Sequence, residues 1–444
     1  MEPTYADVER SLLGRWPETK LEPSLDRIQA LCRLMGDPQN AYPVVHLTGT
    51  NGKTSTSRMI DQLLVTLGLR TGRFTSPHLE SMTERISLDG EALSEELFVE
   101  AFADVAAYAQ IVDDTAQHPL SFFEMLVAMA YAAFADAPVD AAVIEVGMGG
   151  SWDATNVVNA QVAVITPIGV DHSRYLGDTP AIIAGEKAGI IKPGSHAIFA
   201  AQEPEVLEVL MERANAVGAT VSVEGTDFAV LSRVPAVGGQ LLSIQGLSAR
   251  YDDVFLPLYG EHQAHNAAYA LAAVEAFIGT KEIAADLVLE AFALATSPGR
   301  LEVVRRSPTV VLDAAHNPHG ATASMAAISE AFSMSPLIGV VSVMADKDVE
   351  AMLEIFEPVM AHIICTENSS SRSMPARDLA ELANDIFGED RVHLVKRLDN
   401  ALETAIGMAE TAEGFEEAIG SGGVLVTGSV VTVGEARVLL GRSA

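Results

Sequence analysis

Cysteine is scarce in this 444-residue chain: only Cys32 and Cys365 occur, far apart and in no metal-like spacing. That argues against a cysteine-built metal site and fits a reduced, cytoplasmic compartment. Both read as small buried hydrophobes. Positive charge is scarce as well. There are 28 Lys and Arg against 60 Asp and Glu, a formal net charge of −32 at pH 7. Such a surface repels nucleic acid and anionic membranes, so neither is an expected partner. It also repels anionic substrates, so a nucleotide site must gather its few cations locally. No apolar run is long enough to cross a bilayer. The opening MEPTYADVER has no basic n-region and no apolar h-region, so no signal peptide is expected. Fixed-period repeats and low-complexity tracts are absent too.

What is present is an ordinary globular composition, 49% hydrophobic, at a length that suits two domains. Short apolar runs alternate with helical patterns, which predicts α/β architecture with a mostly parallel sheet. Pro43 to Leu47 reads as a strand entering a Gly-rich turn, and Lys53 to Leu67 as the helix after it, stopped at Gly68. Ser121 to Phe134 reads as a helix with a Ser121–Glu124 capping box. Ala141 to Val146 and Val162 to Thr166 read as buried strands. Between about 220 and 258 the pattern becomes short alternating runs with Gly and Asp turns, a β-rich insert. Ala264 to Phe277 and Ala284 to Ala295 read as helices. Ser297-Pro298-Gly299 is a break, and the domain boundary is placed there: 1–296 and 297–444. Beyond it, strand-like runs at Thr309–Asp313, Leu337–Val343, His362–Thr366, Val392–Val395 and Val424–Thr427 alternate with helical stretches, a second, smaller α/β unit.

The strongest chemical signal is Thr48-Gly49-Thr50-Asn51-Gly52-Lys53-Thr54, between a predicted strand and a predicted helix. Backbone N–H groups in such a turn converge, and the helix N-terminus adds positive potential. Lys53 can reach the β- and γ-phosphates of a nucleotide, and the Thr54 hydroxyl can bind phosphate or Mg²⁺. The general phosphate-loop pattern would place Gly at position 47, where this chain has Leu47, so the loop is a shortened variant.

Other residues admit two readings from their surroundings. Glu145 ends a buried strand just before Gly147-Met148-Gly149-Gly150, where a carboxylate faces the crevice of an open α/β sheet or caps the next turn. His172 reads as an oriented loop histidine or a ligand. Lys187 reads as a helical surface lysine, or as a buried one within Ala188-Gly189-Ile190-Ile191. Ser121, Phe122, Phe123 and Glu124 read as helix capping plus core aromatics. Arg300 reads as a linker arginine, paired with an acid or engaged when domains close.

Five stretches in order then make a specific resemblance. They are the Thr48–Thr54 loop; Thr75-Ser76-Pro77-His78-Leu79; Glu145–Gly150 with Asp153-Ala154-Thr155-Asn156; Asp171-His172 with the Gly185–Gly194 run; and Leu312-Asp313-Ala314-Ala315-His316-Asn317-Pro318. Together they resemble the folylpolyglutamate synthase/dihydrofolate synthase family of the Mur-ligase superfamily, over nearly the whole chain. The resemblance implies a P-loop-like ATPase domain with a mostly parallel sheet plus a smaller Rossmann-like α/β C-terminal domain, with ATP and Mg²⁺ between them. It implies that Gly49, Thr50, Asn51, Gly52, Lys53, Thr54, Asn266, Arg300 and Asp313 bind ATP. Ser76 and Glu145 would hold one Mg²⁺, and His172 and Lys187, as a carbamate, a second. Ser121, Phe122, Phe123, Glu124, Trp152, Asp153 and Ala154 fall at pterin contacts, and His316 near the γ-phosphate or acyl-phosphate. Lys347 matches a family stretch with no role beyond a possible glutamate-side contact. Ser151 and Trp152 stand where the family often has Arg and Leu, so the resemblance does not fix the shape of the pterin pocket.

The implied reaction joins L-glutamate to a folate or dihydropteroate carboxylate through an acyl-phosphate, in a cytoplasmic enzyme expected to be monomeric. Two other readings stand beside it. One is another Mur-type ligase acting on a cell-wall precursor. The other is a nucleotide-dependent switch that hydrolyses ATP without ligation.

Overall fold

A computed structural model describes residues 3–17, 23–412 and 421–441. Met1 and Glu2 of the opening segment therefore lie outside the described residues. By its contacts the chain divides into two compact units. The first comprises Met1–Val234, Leu241–Pro257 and Gln263–Thr296; the second comprises Pro235–Gln240, Leu258–His262 and Ser297–Ala444. The second unit thus has its main part from Ser297 onward and also takes in two short upstream pieces.

The first unit is built on a sheet of β1 (Val44–Thr48), β2 (Thr71–Phe74), β3 (Ile86–Leu88), β4 (Glu91–Ala92), β5 (Ala141–Glu145), β6 (Val162–Ile165), β7 (His196–Phe199) and β8 (Thr220–Val223). Their order is β4-β3-β2-β5-β1-β6-β7-β8, parallel from β2 to β8, with β3 and β4 added antiparallel at one edge. β1 and β5 are buried at every position and mostly apolar, as parallel strands covered on both faces are, with His46, Thr48 and Glu145 their buried polar exceptions. Helices cover the faces: Phe122–Asp136 contributes Met125 to Tyr131 and Phe134 to a core that includes Phe74 and Ile144. On the other side of the sheet order, Ile165, Phe199, Ile183 and Leu210 form a second core. Each such side chain removed from water stabilises the fold by roughly 1.5–3 kcal/mol.

The chain leaves β1 toward β2 and leaves β6 toward β7. Strand order therefore reverses around β1, the place where an open α/β sheet presents a crevice at its carboxyl edge. Thr48, Glu145 and Ile165 end their strands on that edge.

The predicted insert is smaller than the sequence pattern suggests. β8 belongs to the main sheet, joined to β7 through the helix Pro204–Val217 in a parallel crossover. Its alternation is that of an edge strand, which short-range pattern cannot distinguish from a hairpin strand. The remaining insert strands, β9 (Ala229–Ala236), β10 (Gly239–Gln245) and β11 (Arg250–Leu256), form a three-stranded sheet.

The second unit carries β12 (Glu302–Arg306), β13 (Thr309–Leu312), β14 (Met334–Val341), β15 (His362–Glu367), β16 (Val392–Arg397) and β17 (Ser421–Thr427). Their order is β12-β13-β17-β14-β15-β16, parallel except for the β12–β13 pair. Leu337, Val341, Ile363, Phe356 and Leu379 anchor its core. Among the described residues no helix is long and apolar enough to cross a membrane.

Candidate active site

β1 ends at Thr48, and after four intervening residues the helix Lys53–Thr66 begins. Gly49 and Gly52 between them have φ of 153° and 88°, a region that side chains disfavour. Space forbids a side chain too. A Cβ would fall 1.8 Å from Thr166 Oγ1 at Gly49 and 2.5 Å from Asn266 Oδ1 at Gly52. Neighbouring segments brace the loop. Thr166 Oγ1 donates to the Asn51 carbonyl at 2.7 Å, Thr50 Oγ1 to the Gly169 carbonyl at 2.9 Å, and Thr48 Oγ1 to the Gly149 carbonyl at 2.7 Å. Gly52 stands at the helix N-cap and offers no side-chain cap. The leading N–H groups therefore present donors and the positive end of the helix dipole to the loop.

Two ammonium groups meet at this loop. Lys53 Nζ donates to the Gly49 carbonyl at 2.9 Å and to the Thr50 carbonyl at 3.2 Å. Lys187 Nζ donates to the same Gly49 carbonyl at 2.9 Å. Lys187 closes the helix Pro180–Lys187 and is 4% exposed, so it is not the surface lysine its helical setting allowed. Burial, reinforced by the charge of Lys53, lowers its pKa from the usual 10.5 to about 7, against the pull of Asp171, Asp153 and Glu186.

Glu145 is buried at the end of β5, and Thr54 Oγ1 donates to its Oε1 at 2.8 Å. The β2–β5 register sets Phe74 beside Ile144, so Ser76 leaves β2 on the same edge as Glu145. His172 follows β6 in a loop, at φ 51°, and starts the short helix Ser173–Leu176. Its backbone N–H donates to Asp171 Oδ1 at 2.7 Å, and its Nε2 lies 3.9 Å from Asp171 Oδ2. Asn266 sits in the helix Glu261–Phe277, which begins before the predicted start at Ala264 because Glu261 suits a first turn. Asn266 Nδ2 donates to Gln263 Oε1 at 3.1 Å, and Gln263 Nε2 to Ser55 Oγ at 3.3 Å, which ties this helix to the loop helix.

The predicted pterin residues are held by their own network. Ser121 and Glu124 form the capping box, and both Glu124 oxygens also accept from Arg27 Nε, at 3.1 and 3.2 Å. Phe123 packs on Phe74 with ring centroids 5.7 Å apart, and Phe122 faces the Arg85 guanidinium at 5.0 Å. Asp153 is buried and accepts from Met148 N and Thr155 N, each at 2.9 Å, and from Thr155 Oγ1 at 2.5 Å. Desolvation raises its pKa despite those bonds. Trp152 is half-buried, its backbone N–H donates to Glu186 Oε1 at 3.3 Å, and Ala154 belongs to the core beneath.

In the second unit, Asp313 follows β13 and is buried. Its carboxylate accepts from Leu301 N at 3.0 Å and Ala315 N at 3.1 Å, so it pins the segments carrying Arg300 and His316. Desolvation raises its pKa, and Arg300 opposes the shift. His316 Nδ1 lies 2.9 Å from the Ala314 carbonyl, and Arg300 Nη1 donates to the Gly299 carbonyl at 3.3 Å.

Sequence reasoning missed Arg85. It is buried, donates Nε to His78 Nδ1 at 2.9 Å and stacks on Phe122. The signal available was Glu84-Arg85, charges set between apolar Met82 and Ile86. Among the described residues no group of three or more His, Cys, Asp or Glu stands together as a metal cage.

A braced glycine loop at the switch point of a parallel sheet, with a lysine, a hydroxyl and a strand-end carboxylate around it, defines a nucleotide-binding α/β protein of the phosphate-loop class. Residues 47–274 match the Mur ligase middle domain, and residues 299–430 match the Mur ligase glutamate ligase domain. The chain is 49% identical to the dihydrofolate synthase/folylpolyglutamate synthase of Mycobacterium tuberculosis, over 98% of this chain and 93% of that protein. A solved Mycobacterium tuberculosis folylpolyglutamate synthase complexed with ADP superposes with a TM-score of 0.96 at 49% identity, covering 99% of this chain and 98% of that one. The Escherichia coli enzyme in complex with DHPP and ADP superposes at 0.85 and 28% identity, covering 99% and 98%. The chain belongs to the dihydrofolate synthase/folylpolyglutamate synthase family of Mur ligases.

Proposed function

We propose that the chain is an ATP-dependent ligase that joins the amino group of L-glutamate to the carboxylate of a folate or of dihydropteroate. The observation that carries this reading is the braced Thr48–Thr54 loop with Glu145 bonded to Thr54, in a chain whose second unit matches a glutamate ligase domain and whose relatives are named dihydrofolate synthase/folylpolyglutamate synthase. A substrate carboxylate oxygen attacks the γ-phosphorus of ATP, the bond from that phosphorus to the bridging oxygen breaks, and ADP leaves. The glutamate amine then attacks the acyl carbon. The carbon–oxygen bond to phosphate breaks, and orthophosphate and one proton depart. No protein nucleophile is needed.

The work left to the protein is positioning and electrostatics. Lys53 and the N–H groups of Gly49 to Thr54 offset charge on the phosphates. Asn266, against Gly52, is assigned to the adenine side. Arg300 and His316 of the second unit are assigned to phosphoryl and acyl-phosphate charge, with Asp313 fixing the loops that carry them and taking the ribose or adenine edge. Ser121 to Glu124 and Trp152 to Ala154 are assigned to the pterin.

Mg²⁺ prefers hard oxygen ligands and keeps several waters. A buried carboxylate on Glu145 with the hydroxyls of Thr54 and Ser76 on the same sheet edge is a donor set of that kind. Glu145 and Ser76 would hold one ion, and His172 with a carbamylated Lys187 a second. Bound Mg²⁺ would add charge neutralisation at the β- and γ-phosphates. Two cysteines without disulfides, Cys32 and Cys365, support a reduced, cytoplasmic location.

The test is ADP release with L-glutamate present, comparing dihydropteroate, reduced folates and a cell-wall precursor. Turnover should require both amino acid and a pterin carboxylate. Equal turnover without either would favour a switch ATPase, and turnover only with the wall precursor would move the chain to that branch.

A further inference from the structure

Lys192 and Arg213 lie close to each other in a chain with a large excess of acid, yet neither forms an ion pair with any described carboxylate. They line a cavity of about 380 Å³ together with Ser151, Asn156, Gly185 and Gly189, wholly within the first unit. Lys192 Nζ spends one proton on the Asn156 carbonyl at 3.1 Å, and Arg213 Nη2 donates to the Ile191 carbonyl at 3.1 Å. Arg213 Nε is buried without a hydrogen-bond partner. Asn156 is 7% exposed. Its amide nitrogen donates to the Ser151 and Gly189 carbonyls at 3.0 and 3.3 Å, which fixes the orientation of the amide. The amide oxygen, Oδ1, is then a buried acceptor without a partner. Burial and the nearby Arg213 lower the Lys192 pKa to about 8, the mark of two cations with no acid between them.

We propose that this cavity binds a small oxyanion that carries both acceptor oxygens and an O–H, of the hydrogen phosphate or hydrogen carbonate type. The two cations supply charge-assisted donors, and the guanidinium suits a planar pair of oxygens. Asn156 Oδ1 accepts from the O–H, which selects against chloride and against fully deprotonated anions. The cavity is several times the volume of a water molecule, so the ion enters with part of its hydration shell. Asn156 already joins the Ser151 turn to Gly189, and Ser151 Oγ donates to the Glu186 carbonyl at 3.0 Å. A bound ion would therefore fasten the turn that carries Trp152 and Asp153 to the helix that ends at Lys187. The site is separate from the nucleotide loop, and orthophosphate released by ligation is one natural source.

The full-length protein, saturated with ADP and Mg²⁺ so that the nucleotide loop is filled, is titrated calorimetrically with phosphate and with bicarbonate. Chloride at matched ionic strength is the control. Saturable binding of at least one of the two oxyanions is expected, and which one binds identifies the source. The double variant Lys192→Met, Arg213→Gln should weaken that binding at least tenfold and leave ADP affinity unchanged. Uptake of CO₂ at Lys187 would persist in the double variant, so it is distinguished from filling of the cavity. No saturation by either oxyanion, or equal binding by the variant, overturns the proposal. Should the variant not fold, crystals of the ADP complex soaked in arsenate decide it. An anomalous peak within hydrogen-bond reach of Lys192 Nζ and Asn156 Oδ1 supports the site, and its absence there removes it.

Discussion

The Thr54 hydroxyl donates to Glu145 Oε1 across 2.8 Å, joining the start of the phosphate-loop helix to the end of the adjacent parallel strand β5. The pair makes one edge of the loop an oxygen-rich corner and couples two motifs ninety-one positions apart. Glu145→Gln keeps the shape and can still accept from Thr54, but it removes the negative charge. We expect kcat to fall by about two orders of magnitude, with the Mg²⁺ midpoint raised and the melting temperature little changed. A Mg²⁺ titration that superposes on the parent enzyme would remove Glu145 from the metal assignment.

Lys53 holds its ammonium on the Gly49 and Thr50 carbonyls, where a nucleotide's phosphates would meet the loop. Lys53→Ala should cut turnover by roughly 10²–10³ while circular dichroism shows an unchanged fold. Retention of near-parent turnover at saturating ATP would contradict the phosphate role.

Beneath the loop runs a directional chain of bonds. His46 Nε2 lies 2.9 Å from Thr155 Oγ1, and Thr155 Oγ1 donates onward to Asp153. His46 is fully buried, and burial, aided by Lys192, lowers its pKa from 6.5 to about 3. The native state therefore refuses a proton that the unfolded chain accepts. Its contribution to stability is complete above about pH 6.5 and is lost progressively as pH falls from there toward 3. Thr155→Val leaves buried groups of both His46 and Asp153 without that hydroxyl and should destabilise by about 2 kcal/mol or more in urea unfolding. His46→Gln should flatten the stability–pH curve between about pH 6.5 and 4. An unaltered slope would show that another group governs acid stability.

The parts of the site that the sequence announces are those built from neighbours in the chain. Thr48 to Thr54 needs only a strand, two glycines and a helix start, and all of these are local. Glu145 is legible because an apolar run stops there, before a glycine turn. The position of Lys187 is not local. Its burial depends on the helix Pro180–Lys187 lying against the Gly49 turn, 138 positions away. The same holds for Asp313, whose strand end is readable but whose partners, Leu301 N and Ala315 N, are set by packing. The sequence pattern groups β8 with the insert because its pairing with β7 is fixed by the crossover helix and not by its own alternation. Arg85 and the Lys192–Arg213 pair escape for that reason as well: the groups they meet, His78 and Phe122 for Arg85 and each other for the pair, are brought to them only by folding.

Lys187 carries the most exposed prediction. Its amine sits in a buried setting, beside Lys53, with a pKa near 7. Above that pH the amine is largely neutral and can take up CO₂, so a carbamate is chemically open to it. The sign of the stability effect follows from the same shift. Between about pH 7 and 10.5 the unfolded chain binds a proton at this lysine that the native state does not. Native stability therefore rises with pH across that window, and the full penalty is present below pH 7. Lys187→Met removes the buried amine. In CO₂-depleted buffer the variant should gain stability over the parent by several kcal/mol at pH 6, and the gain should shrink steadily toward pH 9.5. The same variant should lose most ligase activity in air-equilibrated buffer, and a short-chain carboxylic acid should restore part of the activity of Lys187→Ala by filling the vacated space. The parent enzyme should lose activity when CO₂ is stripped and regain it with bicarbonate. Full activity of the parent without CO₂, with mass spectrometry showing unmodified lysine, would end the carbamate assignment. A stability difference that stays flat from pH 6 to 9.5 would refute the lowered pKa independently, and the ligase reading would still rest on the Thr48–Thr54 loop and Glu145.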